Sequence, residues 1–500
     1  MHRTRAPADH LAWPSIVGAA FALAPLLGGC SSGSSSRAGP GQDGGADAAG
    51  DCCTGGDGGS RAEGGQGGGG DAGHEGGARE GGAGDSGAPG DSTGVIAVSA
   101  NTFLGSLGVN THIDQGFDAT KYVMPLQYTG IRNLRDGERN LASTVRVHQQ
   151  TGVRVDLGAG TDLTGILAAG KTLAAAGALL SFEGPNEPNN FPATYGGQQG
   201  GGSGTWVPIA QYQRDLYAAV KGDATLGQYP VFSVSEDGAE TDDVGLQFLT
   251  IPAGAGIGMP DGTKYADYAN PHNYVSGNAG TYVDNVAWQA ADPTLNGSWD
   301  GLSGEYGVTW GKHFQGYSTA ALQALPRVTT ETGWDSTGNP GGEPVQGVVL
   351  VNTYLAQFKR GWTYTFIYEL VDQQGSTGDQ GIYHADFTPK LLATYIHDLT
   401  TVLADTVTLA SPGRLDYTVA GEPATVHDLL LQKSTGAFEL VVWDERASGA
   451  DSVTVNLTTP RKTVNLYDVT TGSTPTKTLS NVSAVPLSLS DHAVVIEVLE

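Results

Sequence analysis

Between about residue 95 and residue 405 the chain alternates short β-rich runs with amphipathic stretches, and nothing else constrains its fold as strongly. Eight runs read as strands, at 107–112, 130–135, 152–157, 178–183, 230–235, 265–274, 327–331 and 363–369. Helical spacing lies between several of them. Ile209, Tyr212, Leu216 and Val220 recur on one helix face, and 345–358 is a second apolar-faced stretch. Thr388-Pro389 reads as the N-cap and first residue of a helix running toward Asp405. Eight strand–helix repeats predict an α/β fold, a closed (β/α)8 TIM barrel over 94–405. A doubly wound sheet is disfavoured, because no Gly-rich phosphate fingerprint follows the first strand.

The flanks have other textures. Phe438 to Trp443, Ser452 to Leu457, Thr463 to Tyr467 and Ala493 to Leu499 alternate with period two between Gly, Pro, Ser and Asp, which predicts a small antiparallel β-sandwich over 406–500. Residues 31–93 are rich in Gly with scattered acids and almost nothing apolar, the composition of a flexible tether that cannot offset its ordering entropy. Before it, Arg3 and Arg5 precede an apolar stretch from Leu11 to Leu27, too short and Pro-interrupted for a membrane span. That stretch closes on Leu27-Gly28-Gly29-Cys30 and a Ser run, which resembles the bacterial lipoprotein signal. The resemblance implies removal of 1–30 up to a lipidated Cys30. With Ser31 next, it implies an exported protein of the outer membrane or cell surface.

Composition excludes several chemistries. The net charge is −26, from 26 basic and 52 acidic residues, so no basic surface exists to neutralise nucleic-acid phosphate. No Cys follows Cys53, which removes thiol nucleophiles and zinc ribbons from the predicted domains. No His/Asp/Glu run has metal-ligand spacing and no Ser lies in a nucleophile elbow, so neither metal nor other cofactor is expected.

In a barrel the chemistry sits where strands end at the C-terminal face, and two acids stand there. Glu187 lies in Phe182-Glu183-Gly184-Pro185-Asn186-Glu187-Pro188-Asn189 after strand four, and Glu331 in Thr329-Thr330-Glu331-Thr332-Gly333-Trp334 after strand seven. Glycosidic cleavage needs two carboxyl groups flanking the bond, and retention of configuration needs them about 5 Å apart. Glu183 competes as an acid but falls earlier on its strand, where a buried hydrogen-bonding role is expected.

Asn-Glu-Pro closing strand four and Glu closing strand seven resemble the catalytic signature of glycoside hydrolase clan A, the retaining barrel glycosidases. Gly108-Val109-Asn110-Thr111-His112 and Gly130-Ile131-Arg132-Asn133-Leu134-Arg135-Asp136 are similar to its family 39 and family 5 branches. The resemblance implies Glu187 as acid/base, Glu331 as nucleophile and Asn186 on the sugar 2-hydroxyl. It implies that Arg135 holds Glu331 ionised, that Tyr274 bonds the nucleophile, and that His272 lines the sugar site. Glu187 is then expected to titrate high and Glu331 low. Arg132, of opposite parity to Arg135, is expected to face the helices. The clan's Trp at the end of strand eight is absent, so Tyr368 or Trp334 is expected as the ring beneath the sugar. The loop 190–208, with Phe191, Tyr195 and Trp206, is either a subsite wall or lid, or an insertion. The expected protein is a tethered surface glycosidase acting by double displacement on a carbohydrate substrate. An inactive carbohydrate-binding barrel and a transglycosylase are the alternatives.

Overall fold

A computed structural model of the chain describes residues 94–499 apart from 159, 189, 203, 273, 238–248, 251–258, 277–285, 288–324, 339–340, 374–377 and 447–448. The expected signal, Cys30 and the tether therefore lie outside the described residues.

The alternating half is a curled, wholly parallel sheet with helices against it. Its strands are β1 (Leu107–Asn110), β2 (Asn133–Asp136), β3 (Arg154–Leu157), β4 (Leu179–Phe182), β5 (Glu236–Asp237), β6 (Pro271–His272), β7 (Arg327–Thr332) and β8 (Trp362–Ile367). The pairing order is β4-β3-β2-β1-β8-β7-β6-β5. The chain just before β5 also bridges both neighbours in parallel, Phe182 with Val231 and Phe232 with Tyr268. Strand eight thus pairs with strand one, and strand four reaches toward strand five.

The longer helices among the described residues are α1 (Val123–Thr129), α2 (Leu141–Thr151), α3 (Leu163–Ala175), α4 (Val207–Gly222), α5 (Gly342–Lys359) and α6 (Leu391–Val402). α3 and α4 each bury an apolar stripe. On α3 the stripe is Ile166, Ala169, Gly170 and Leu173, and the helix is started by Asp162, whose carboxylate accepts the N–H groups of Thr164 and Gly165 at 3.1 and 3.0 Å. On α4 it includes Ile209, Tyr212, Leu216 and Val220, as the spacing predicts. One expected start is displaced. Thr388 and Pro389 do not open α6, because this segment folds back on the chain before it: His384 N–H donates to Thr388 O at 2.9 Å and Lys390 N–H to Ile382 O at 3.2 Å. The helix begins after that pairing, at Leu391.

The C-terminal strands are β9 (Tyr417–Ala420), β10 (Val426–Gln432), β11 (Phe438–Asp444), β12 (Asp451–Asp468), β13 (Lys477–Leu489) and β14 (Ala493–Leu499). They form one antiparallel sheet in the order β9-β12-β14-β11-β10, with β13 also on β12. The expected strands at 452–457 and 463–467 are a single strand. Pro460 and its neighbours make a register shift between Asn456 and Arg461 where the sequence suggested a turn, a position at which a strand tolerates proline. Val98–Ser99, well before β1, adds in parallel to β10, and Val95–Ile96 pairs with Arg414–Leu415.

α5 lies where the two halves meet. Its residues from Gln346 to Gln357 are all buried, because one face meets the parallel sheet and the other the C-terminal sheet. Leu350 and Leu355 share a continuous apolar cluster with Leu107 of β1 and with Leu431, Trp443 and Val495 of the C-terminal sheet. Asn352 of α5 donates to Asp444 O and Asp491 O at 3.2 and 2.9 Å.

Candidate active site

The C-terminal ends of β2, β4, β6 and β7 converge on one hydrogen-bonded group. Arg135, near the end of β2, is its hub. Its Nε and Nη2 donate to the two carboxylate oxygens of Glu183 at 2.8 Å each, Nη2 also donates to Asn186 Oδ1 at 2.7 Å, and Nη1 donates to Glu331 Oε1. Tyr274 donates its hydroxyl to the other oxygen of Glu331 at 2.7 Å. His272, fully buried, places Nδ1 2.5 Å from Glu187 Oε1 and 3.6 Å from Glu331 Oε2. An oxygen of Glu187 and an oxygen of Glu331 come within 4.8 Å of one another. Glu187, Glu331, Arg135, Asn186, His272 and Tyr274 are therefore brought together.

The backbone around Glu187 is shaped for this. Glu187 has φ of 40°, a left-handed conformation that costs a residue with a Cβ on the order of 1–3 kcal/mol and concentrates at functional sites. The turn is held by the N–H groups of Asn190 and Phe191, which donate to Glu187 O at 2.9 and 2.7 Å. The Asn190 amide reaches Glu187 Oε2 at 3.3 Å.

A proton is shared between Glu187 and His272. His272 Nε2 lies 3.0 Å from Thr330 Oγ1, which in turn accepts from the Asn270 Nδ2 amide at 2.9 Å. Nδ1 then faces a carboxylate oxygen at 2.5 Å, a distance that needs a proton between them. Burial pushes the His272 ring toward its neutral form, but the charges of Glu331 and Glu187 and the bond to Glu187 raise it above its ordinary 6.5. Burial also pushes Glu187 up, yet the His272 bond and charge, Asn190 and Arg135 bring it below the usual carboxylate value. The expected direction for Glu187 is thus reversed. The acid is not isolated in an apolar pocket but paired with a base that takes the proton.

No protein-family model matches the sequence, and no curated protein matches it significantly. Solved structures do. A family 39 glycoside hydrolase from the gut symbiont Bacteroides cellulosilyticus WH2 is similar with a TM-score of 0.50 at 15% identity, over 80% of this chain and 82% of that one. The family 30 subfamily 8 xylanase Xyn30A of Clostridium acetobutylicum has a TM-score of 0.48 at 11% identity, covering 81% and 97%. A family 51 arabinofuranosidase from Xanthomonas axonopodis pv. citri has 0.46 at 12%, covering 82% and 98%. The chain shares the fold of that family 39 glycoside hydrolase.

The remaining expected residues separate. Tyr368, half-buried, lies edge-on to Tyr274 with ring centroids 6.4 Å apart, and so belongs to the site. Trp334 does not present a ring to it. It is 1% exposed within the large apolar cluster that also holds α5 residues, and Gln346 of α5 donates to its carbonyl at 2.9 Å. Arg132 faces away, bonding Asn101 and, at 2.8 Å, Asp405 O. The loop after Glu187 folds as a hairpin, Ala193–Tyr195 with Gln198–Gly200, pinned by Tyr195 to Asp215 at 2.8 Å. Its Phe191 is exposed.

Sequence reading missed Asp156, Asn270, Thr330 and Asn190, and a second cluster at the ends of β1 and β8. There His112 Nδ1 lies 3.1 Å from Glu369, and Gln373 donates to Glu369 at 3.0 Å and to the Tyr368 hydroxyl at 2.9 Å. This pair is not ionic at neutral pH: burial lowers His112 to about 4 and raises Glu369 to about 7. Parity along the strands could have found Asp156, since Arg135 registers with it across β2 and β3.

Glu187, His272 and Glu331 each offer a ligand atom to the 4.8 Å group, so a divalent cation is the other thing they could hold. The donors around them fit a proton better. Glu331 already takes a guanidinium on one oxygen and a hydroxyl on the other, and His272 Nδ1 would have to lose its proton to bind an ion.

Proposed function

We propose that the protein is a retaining glycoside hydrolase that cleaves O-glycosidic, β-configured bonds of a polysaccharide or oligosaccharide. The observation that supports it is the approach of the Glu187 and Glu331 carboxylate oxygens to within 4.8 Å, near the separation of about 5–5.5 Å used in double displacement. In this reading the parallel sheet is a closed (β/α)8 barrel and the C-terminal strands a β-sandwich. The lipoprotein-like Leu27-Gly28-Gly29-Cys30 tethers it to the membrane through an acylated Cys30.

Glu331 attacks the anomeric carbon, and the bond to the leaving oxygen breaks as that oxygen takes the proton shared by Glu187 and His272. A glycosyl ester on Glu331 results. Glu187 then accepts a proton from water as the water oxygen attacks the same carbon and frees Glu331. Arg135 and Tyr274, bonded to Glu331, hold it as an oriented carboxylate. Asn186 is exposed and spends its carbonyl on Arg135, which leaves its NH2 for the sugar 2-hydroxyl.

Glu187→Gln and Glu331→Gln should each lower turnover by orders of magnitude with the fold intact. Proton NMR of early product should show retained anomeric configuration, and a fluorosugar should label the peptide holding Glu331. Near-normal activity in either variant, or an inverted product, refutes the reading.

A further inference from the structure

Behind Arg135 lie two buried acids that double displacement itself does not use. Glu183 is fully buried and grips Arg135 through both oxygens at 2.8 Å. Asp156 is fully buried one strand further on, in register with Arg135 on β2 and Ser181 on β4. Ser181 donates to Asp156 Oδ1 at 2.6 Å, while Asp156 Oδ2 meets no donor. Two buried carboxyl groups side by side cannot both ionise, so one carries the proton. Glu183 has the guanidinium and Asp156 does not.

The guanidinium charge is consequently divided. Three of its donor contacts go to Glu183 and Asn186 and one goes to Glu331. Resting on the glycosidase reading above, we propose that Glu183 is a positioning residue for the nucleophile: it aims Arg135 and withholds part of its charge from Glu331, and Asp156 supports it as a neutral hydrogen-bond donor. An undivided cation would hold Glu331 as an over-stabilised anion. The directions agree with this placement. Burial and the Glu183 charge raise Asp156 well above the usual carboxylate range. Burial works to raise Glu183 too, but the Arg135 charge and bonds bring it to about 2. The other groups facing Glu331 are Glu187, whose oxygen comes within 4.8 Å, His272, the Tyr274 hydroxyl and, through charge alone, Tyr368 and Glu369. Glu183 faces Arg135, Asp156 and His272.

The test is the pH dependence of kcat/KM on an aryl β-glycoside that the full-length wild type turns over. Glu183→Gln should move the acidic limb down by about one pH unit, since Glu331 gains cation and loses a neighbouring anion. Arg135→Ala should move it up. Asp156→Asn should leave it in place, because an amide supplies the same donor without charge. Reduced turnover with an unmoved acidic limb in Glu183→Gln reduces the residue to a structural part and overturns the proposal. A limb shifted in Asp156→Asn overturns the neutral role of Asp156. Should Glu183→Gln not fold, or the wild type turn over no glycoside, carboxyl 13C NMR of the wild type decides: Glu183 ionised and Asp156 protonated at pH 6 supports the arrangement, and both ionised overturns it. Loss of activity in Glu331→Gln reports on the glycosidase reading separately.

Discussion

His272 is the residue on which pH dependence should turn. Its pairing with Glu187 moves the last proton of the pair onto a group raised above 6.5, so the proton persists as pH rises and leaves only beyond that raised value. In His272→Gln the proton must stay on Glu187 alone. The basic limb of kcat/KM should then move to lower pH, and turnover should fall by about tenfold to a hundredfold. An unmoved basic limb would show that no proton is shared. Glu187 also shows why the direction of this shift could not be read along the chain. His272 is 85 residues away in sequence and 2.5 Å away in space.

At the scale of elements, glycines mark where helices meet strands too closely for a side chain. Gly170 lies mid-way along α3, where glycine normally weakens a helix by about 1 kcal/mol relative to alanine. A Cβ there would lie 2.3 Å from Cζ of Phe182, a fully buried ring on β4 with no room to turn aside. Overpacking of this kind costs about 1–3 kcal/mol, which outweighs the helical gain. Gly170→Ala should therefore destabilise the protein by about 1–2 kcal/mol in urea unfolding. A stabilised variant would mean that α3 can slide off β4. Gly108 on β1 makes room between paired strands instead, since its Cβ would fall 2.4 Å from the Phe366 ring of β8.

Across the whole molecule, the chain before the first parallel strand belongs by pairing to the last sheet, and α5 is buried between the two halves. No helix among the described residues is long and apolar enough to cross a membrane. The proposed membrane attachment rests on Cys30. Cys30→Ser should convert a detergent-extracted protein into a freely released one with unchanged kcat/KM, because several buried acyl chains on that Cys supply the anchoring free energy. Equal detergent partitioning with and without Cys30 would refute the anchor.

Period and punctuation carried much of this protein. Alternation of β-rich runs with helical spacing placed the eight parallel runs, because strand and helix periods are local properties of side-chain direction. Asn186-Glu187-Pro188 and Thr330-Glu331-Thr332 were legible as strand-end acids for the same reason, and Tyr274 and His272 by their two-residue spacing. What lay beyond the sequence depends on contacts made across it. Trp334 is three residues from Glu331, yet it is buried in the apolar core, and nothing in those three residues shows that the core takes it. Pro460 looks like a turn locally and is a bulge because β13 pairs with β12 on both sides of it. The proton of Glu187, the sharing of Arg135 between two acids and the neutrality of Asp156 were decided by tertiary structure alone. Charge and burial act through space, and these groups meet only once β2, β3, β4, β6 and β7 stand side by side.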